Sequence, residues 1–421
     1  MVITPNKGLL EPARGAINWD IPLNSNFTIM DTAFGDSLEI DVTGITTTQT
    51  LTVFDYQNFA IVFTGTLSAN LIYQIPSGVG GQWLFGSTAY STYTITIQNA
   101  ASGSATITVP SGYIVSVCSD GSSVYPFGST IIFGTRGVFG GGFTNPFSGF
   151  DSAVMDYITI ATTGNATTFG NLTVARSYLA GVNNETRGVF GGGGSTITAV
   201  MDYIAIATTG NATSFGNLTL ARQFLAGVSS STRGVFGGGQ TSTANSAVMD
   251  YITIATTGNA TTFGNLTVVR YGAAGVSSAT RGVFGGGYTT TYSAIMDYIT
   301  IATTGNATTF GNLTVARNFL AGVSSSTRGV FGGGTSSAVM DYITIATTGN
   351  ATTFGNLTLT IDSLAGVSSG TRGVFGGGLN TSTVLSTMEY ITIATTGNTT
   401  SFGNLTVTRY SLAGVSSYVP S

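Results

Sequence analysis

The stretch Arg136-Gly-Val-Phe-Gly-Gly-Gly142 returns unchanged from Arg187, Arg233, Arg281, Arg328 and Arg372, at intervals of 44 to 51 residues. Self-similarity at that period marks an array of supersecondary units. Three further blocks recur between the copies. Met-Asp-Tyr-Ile starts at Met155, Met201, Met249, Met296 and Met340, with Met388-Glu-Tyr-Ile in the sixth copy. Phe-Gly-Asn-Leu-Thr starts at Phe169, Phe215, Phe263, Phe310, Phe354 and Phe402. Ala-Gly-Val closes each unit, around Gly181, Gly227, Gly275, Gly322, Gly366 and Gly414. Each block is strand-sized and rich in Val, Ile, Thr, Phe and Tyr, and none has a helical period. Gly164-Asn165 and its copies supply a tight hairpin between the second and third blocks. With the blocks lettered a (Ala-Gly-Val), b (Arg-Gly-Val-Phe), c (Met-Asp-Tyr) and d (Phe-Gly-Asn), each unit is a four-stranded meander, the size of a propeller blade.

The order of the blocks argues for a ring. The first copy starts at strand b, at Arg136, and the last ends on strand a, around Leu412 to Ser417. That leftover strand completes the first blade and gives six whole blades. An open stack, the alternative, leaves Val- and Phe-rich strand edges bare. The fold expected for 131–421 is therefore an all-β, six-bladed propeller closed by its own C-terminal strand.

Composition sets limits on function. The 421 residues include 60 Gly, carry a formal charge of -4 and are only 7% charged. With so few basic residues, neither nucleic acid nor a membrane surface is an expected partner. No run approaches the length that spans a bilayer, and the opening MVITPNKGLLEP lacks a secretory pattern, so a soluble, non-exported chain is expected. There is no His, and Cys118 is the sole cysteine. No disulfide, metal site or cofactor is expected.

The charges beyond Gly134 follow the repeat. Besides the Arg of strand b, arginines stand at 176, 222, 270, 317 and 409, just before strand a. Acids stand in strand c at Asp156, Asp202, Asp250, Asp297, Asp341 and Glu389. Tracing the meander brings each acid and the arginine that follows it to one end of the blade, which predicts structural ion pairs Asp156–Arg176, Asp202–Arg222, Asp250–Arg270, Asp297–Arg317 and Glu389–Arg409. The fifth copy has Ile361-Asp362 where the arginine belongs, so Asp341 is expected to lack a partner. Charges repeated sixfold read as scaffold, whereas a catalytic group is expected once. The Asn-Ala-Thr and Asn-Leu-Thr triplets match glycosylation acceptors only formally and are read as turn and strand-edge residues.

The copies differ mainly in two connections. The b-to-c loop changes in length and content, and carries Phe143, Phe147, Phe150, Tyr288 and Tyr292. The d-to-a connection places Tyr178, Phe224, Tyr271, Phe319 and Tyr410 at or next to the residue after the arginine position. Both emerge on one face of the meander. Aromatic side chains among Ser, Thr, Asn and Gln suit stacking on sugar rings, so these ten form the candidate ligand-binding set. Packing of the same rings beneath the loops is the plain alternative.

Residues 1–36 read as an arm with a short helix on which Leu23, Phe27, Met30 and Phe34 share a face. Residues 37–130 alternate apolar and polar across Gly/Ser/Asn turns, which predicts a small antiparallel β-sandwich-like domain without a repeat.

The repeat resembles kelch repeats: a glycine doublet ends strand b, aromatics stand in c and d, and an arginine precedes strand a. In the first copy these are Gly140-Gly141, Tyr157, Phe169 and Arg176. Phe replaces the usual Trp, since Trp19 and Trp83 both lie outside the repeats. The resemblance implies the propeller fold, and no kelch function. Asn18-Trp-Asp-Ile-Pro-Leu-Asn-Ser-Asn-Phe27, continuing to Gly35, resembles a segment near the N-termini of bacteriophage tail-fibre and related virion proteins. Val115 to Tyr125 is similar to the end of such a fibre's β module, and the repeat itself is similar to one in virion proteins of phages, including those of cyanobacteria.

That resemblance implies a protein of the virion tail or fibre, assembled in the host cytoplasm. The N-terminal region would attach to other virion proteins and form a homotrimer. The propeller would present its loops to a host cell-surface glycan or protein. Two other functions remain open from the residues. One is a non-adhesive structural or decoration protein of capsid, neck or baseplate. The other is a polysaccharide depolymerase, which needs paired carboxylates. Its only candidates in the propeller outside strand c, Asp151, Glu185 and Asp362, stand in separate copies, so no enzyme is expected.

Overall fold

The computed structural model describes residues 37–87, 93–101, 103–109, 113–126, 136–145 and 150–418, together with short strands at 2–3, 10–11 and 131–132. It divides into two units, Met1–Gly134 and Thr135–Ser421, a few residues from the boundary expected at 130. The candidate helix, the Trp19 segment and Phe147 lie outside the described residues. In the arm, β1 (Val2–Ile3) pairs antiparallel with β2 (Leu10–Glu11).

The first unit corrects the expected strand directions. Its strands alternate between two sheets: β3 (Ser37–Asp41), β5 (Ala60–Thr64) and β7 (Gly80–Ser87) in one, β4 (Gln49–Thr50), β6 (Leu71–Ile75) and β8 (Ile95–Asn99) in the other. Within each sheet these neighbours run parallel. In these two sheets β9 (Thr106–Val109), β10 (Tyr113–Asp120), β11 (Val124–Pro126) and β12 (Ile131–Ile132) add antiparallel pairs. A chain that crosses to the facing sheet after each strand comes back pointing the same way. The register shows a repeat of 24 residues, Gln49 to Tyr73 to Ile97. Alternating hydrophobicity is the same for both strand directions, which is why it could not distinguish them. Ile61, Phe63, Ile75, Trp83, Phe85, Ile95 and Ile97 fill the layer between the sheets. The indole N–H of Trp83 donates to Tyr56 O at 2.8 Å. Tyr56 belongs to α1 (Val53–Tyr56), the sole α-helix among the described residues, which Thr52 and Asp55 cap reciprocally.

The second unit is a six-bladed β-propeller. In the second blade, strand a is Ala180–Asn183, b Arg187–Gly191, c Val200–Ala205 and d Thr213–Asn217, paired in that order. The C-terminal strand, Ala413–Ser416, pairs antiparallel with Arg136–Gly140 and supplies strand a of the first blade, with Val415 opposite Val138. The leftover strand and the missing strand thus meet, as the block order requires.

The core lies between blades. Val189, Met201, Phe215 and Leu218 of the second blade pack on Phe236, Ile252 and Ile254 of the third, and the same layer recurs around the ring. A fully buried side chain of this size stabilises by about 1.5–3 kcal/mol. Two glycines per unit permit close approach. On strand d, a Cβ at Gly170 would overlap the Gly210 carbonyl of the next blade. On strand a, beside the axis, a Cβ at Gly227 would overlap the Gly181 carbonyl of the preceding blade. At that end of the axis Tyr418 lines the cavity, and its carbonyl accepts from Asn183 Nδ2 at 3.0 Å.

Polar latches join the same neighbours. The Arg136 guanidinium lies 4.3 Å over the Tyr157 ring of its own blade and donates to Ile206 O and Ala207 O of the next, at 3.1 and 2.7 Å. Arg372 makes the same bonds to Ile160 and Ala161 and closes the circle. The Asn of each hairpin clips the preceding blade: Asn165 Oδ1 accepts from the Asn404 N–H at 3.0 Å.

The buried ion pairs form between different copies from those expected. Arg176 pairs with Asp202 at 2.5 Å, Arg222 with Asp250 at 2.5 Å, Arg270 with Asp297 at 2.9 Å, Arg317 with Asp341 at 2.9 Å, and Arg409 with Asp156 at 2.5 Å. Each arginine bonds the acid of the blade it leads into, rather than the one it has left, because the d-to-a connection crosses a blade boundary. Asp341 therefore has its arginine, and Glu389 is the acid without one among the described residues. Ile361 stands at the repeat position of the missing arginine, and Glu389, 6% exposed, has other partners. It accepts from Thr358 N–H at 3.1 Å, from the Thr358 hydroxyl and from the Thr399 hydroxyl at 2.7 Å. The other five copies have Ala where Thr399 stands. Loss of the arginine, lengthening of the acid and gain of a hydroxyl thus meet at one interface. Burial pushes the five arginines below their ordinary pKa, and the facing aspartates oppose that shift. An isolated buried charge costs far more than a paired one, so each of these arginines depends on its aspartate, while the intact pair adds little net stability.

Candidate functional site

Both variable connections emerge on one face and are joined there by backbone bridges. Phe143 bridges Tyr410, Gln223 bridges Gln240, Tyr271 bridges Tyr288 and Asp362 bridges Leu379. The b-to-c connection ranges from six residues (333–338) to thirteen (141–153).

At the centre of this face is a closed circle of backbone hydrogen bonds. Tyr178, Phe224, Gly272, Phe319, Ser363 and Ser411 each donate their N–H to the carbonyl of the preceding member, at 2.6 to 2.9 Å, and Tyr178 donates to Ser411. All six sit at positive φ, between 56° and 65°. A left-handed backbone costs a non-glycine residue about 1 kcal/mol or more. Glycine, the residue suited to it, occupies only one of the six positions, Gly272.

Eight of the ten expected aromatics form one contiguous track. From one end it runs Tyr410 to Phe143 (ring centroids 5.4 Å apart), Phe143 to Tyr178 (5.0 Å), Tyr178 to Phe224 (4.0 Å) and Phe224 to Tyr271 (5.4 Å). It continues from Tyr271 to Tyr288 (5.4 Å) and from Tyr288 to Tyr292 (5.7 Å). Phe319 leans over Gly272, where a Cβ would lie 3.0 Å from its ring, and joins Phe224 at 5.3 Å. Phe143 is a correction to the expected set. At 5% exposed it supports Tyr178 and Tyr410 from beneath and is not displayed. Phe150 is 69% exposed and has no ring neighbour among the described residues.

The circle surrounds a cup of about 90 Å³ on the propeller axis. Leu179, Leu225, Leu320, Leu364 and Leu412 form its floor, with Ala273 at the sixth position. Tyr178, Phe224 and Phe319 wall one side, and Ser363 and Ser411 the other. Ser411 Oγ is buried and makes no hydrogen bond of standard geometry. Burial pushes the neighbouring Tyr178 phenol up to about 12. Burial likewise raises Asp362, whose carboxyl interacts with the Ser363 hydroxyl. The cup was not legible as a unit in the sequence, because its serines look like ordinary turn residues. The available signal was the alternation of Tyr, Phe, Gly and Ser at one repeat position.

The face carries little free charge. All eleven arginines of the propeller are engaged, six over tyrosine rings and five in the buried pairs. Asp151 clasps two rim loops, accepting from Ser177 Oγ at 2.6 Å and from Ser195 N–H and Oγ at 2.9 and 2.7 Å. Glu185 sits in the a-to-b turn of the second blade, on the opposite face of the propeller from Asp151 and Asp362. No group of acids, Cys or His suited to a metal occurs among the described residues. No protein-family model matches the chain, and no curated protein matches it.

Proposed function

We propose that the chain is a virion fibre protein whose propeller binds a host-surface glycan with its loop face, while the N-terminal region attaches to other virion proteins and forms a homotrimer. The observation that carries the binding reading is the aromatic track from Tyr410 to Tyr292, laid across loops that differ in length from blade to blade. Ring faces suit the apolar faces of sugars, and the hydroxyls beside them suit sugar hydroxyls. The attachment role rests on the resemblance of the N-terminal stretch to fibre proteins. The reading involves binding without cleavage.

Single sugar contacts are weak. A millimolar site gives about -4 kcal/mol, and linked copies raise avidity by roughly 10² to 10⁴. A trimer of propellers would use that multiplication.

The full chain applied to an array of neutral and anionic glycans tests the proposal. Binding to neutral glycans is expected, with loss in Tyr288→Ala and Tyr292→Ala at unchanged melting temperature. Binding to no glycan, together with binding to particles that lack the protein, overturns it in favour of a decorating role. Shortened polysaccharide chains after incubation would overturn the non-enzymatic reading.

A further inference from the structure

We infer that the cup on the propeller axis receives the acetamido group of a neutral, N-acetylated amino sugar. The inference rests on the glycan reading above and names the sugar class.

Size restricts what enters. A cavity of roughly 150 Å³ holds benzene, so the cup, at about 90 Å³, admits a substituent smaller than a benzene ring and excludes a sugar ring. Chemistry restricts it further. The leucine floor calls for a methyl group, and Ala273 leaves the floor open at one position. The wall of Tyr178, Phe224 and Phe319 offers ring faces to a planar group. On the other side Ser363 and Ser411 line the same cup, and the buried Ser411 hydroxyl lies beside the Tyr178 phenol. An acetamido group has a methyl, a flat amide and a hydrogen-bonding carbonyl and N–H in about that volume. Its sugar ring would rest above the circle, against the track leading to Tyr271 and Tyr288.

Charge selects among acetylated sugars. Every arginine of the propeller is committed to protein partners, and the carboxylates described on this face are Asp151 and Asp362. An anionic sugar finds no cation there and meets like charge, so a neutral sugar is preferred. A free amino sugar would bring an ammonium onto the leucine floor without its water.

The circle explains why the side chains persist. Five non-glycine residues hold a backbone that glycine would adopt freely, and such outliers gather at ligand sites.

Saturation-transfer NMR on the full chain tests the assignment, with N-acetylglucosamine and N-acetylgalactosamine against glucose, galactose, glucosamine and N-acetylneuraminic acid. The expected result is strongest saturation at the acetamido methyl of the two neutral sugars, with about tenfold tighter binding than their parent sugars, about what one satisfied hydrogen bond and a buried methyl supply. Ala273→Leu, which closes the floor, and Ser411→Ala should each remove that preference at unchanged melting temperature. The wild-type methyl signal stands as evidence even where a variant fails to fold. Equal binding of glucose and N-acetylglucosamine overturns the inference. If that binding is still lost in Tyr288→Ala, the loop-face reading survives without the cup. If no sugar binds at all, both fall.

Discussion

Replacing Arg409 by isoleucine copies, at the interface of the sixth and first blades, one of the three departures from the repeat found between the fifth and sixth. Arg409 is fully buried and donates to Asp156 at 2.5 Å, to Gly141 O at 2.9 Å and to Val154 O. Arg409→Ile leaves the Asp156 carboxylate buried with only the Thr406 hydroxyl as a hydrogen-bond donor. Breaking one half of a buried pair costs about 3–5 kcal/mol. At about 2–4 °C per kcal/mol for chains of 150–250 residues, the melting temperature should fall by roughly 6 °C or more. The structure also specifies the remedy. At the natural site Glu389 reaches both Thr358 and Thr399, so the triple variant Arg409→Ile, Asp156→Glu, Ala166→Thr should regain at least about 2 kcal/mol of the loss. Urea titration and calorimetry on the full chain measure both steps. A triple variant no more stable than the single one would refute the account of this carboxylate and its partners. So would a single variant as stable as the wild type.

Four further outcomes follow from the same structure. Asp341→Ala and Asp156→Ala should destabilise equally, by about 3–5 kcal/mol in urea titration, because each strands a buried arginine. Gly264→Ala should lower the melting temperature, since the new methyl would overlap the Gly305 carbonyl of the next blade at an overpacking cost of about 1–3 kcal/mol. Ending the chain after Ser411 removes the strand that covers Arg136–Gly140; light scattering should then show association through that bare edge. Burial raises the Asp362 pKa above its ordinary 3.8, so its contribution to stability is present below that value and is lost as pH rises through the folded pKa. Asp362→Asn should therefore be more stable than wild type near neutral pH and flatten the decline that sets in above the ordinary carboxylate pKa, read by urea titration.

Some of this was legible in the residues. The blades were legible because each strand is written six times between glycine and asparagine turns, and the closure because the first copy lacks strand a and the last ends on it. The partners of the charges were not. Spacing along the chain brings Asp156 and Arg176 to one end of a blade, but the connection carrying Arg176 has already turned toward the next sheet, where Asp202 waits. In the first unit the 24-residue step was hidden because few side chains repeat with it. Gln49, Tyr73 and Ile97 share a register and nothing else. Of the candidate site, the aromatics were visible by type and position. The burial of Phe143 and the gathering of Ser363 and Ser411 at one cup are products of packing and have no signature in a single sequence.

The stagger between copy and blade has a genetic consequence. Because every latch reaches from one sheet to its successor, a recombination event that adds, deletes or exchanges a copy of the ordinary type rejoins the same contacts on both sides. The fifth and sixth copies have lost that freedom. Ile361 belongs to one and Glu389 with Thr399 to the other, so moving either alone would set isoleucine against aspartate or arginine against the longer acid. The order of the last two units is thereby fixed, while the others can still be shuffled, and diversity in the displayed loops can arise by trading whole units among the first four.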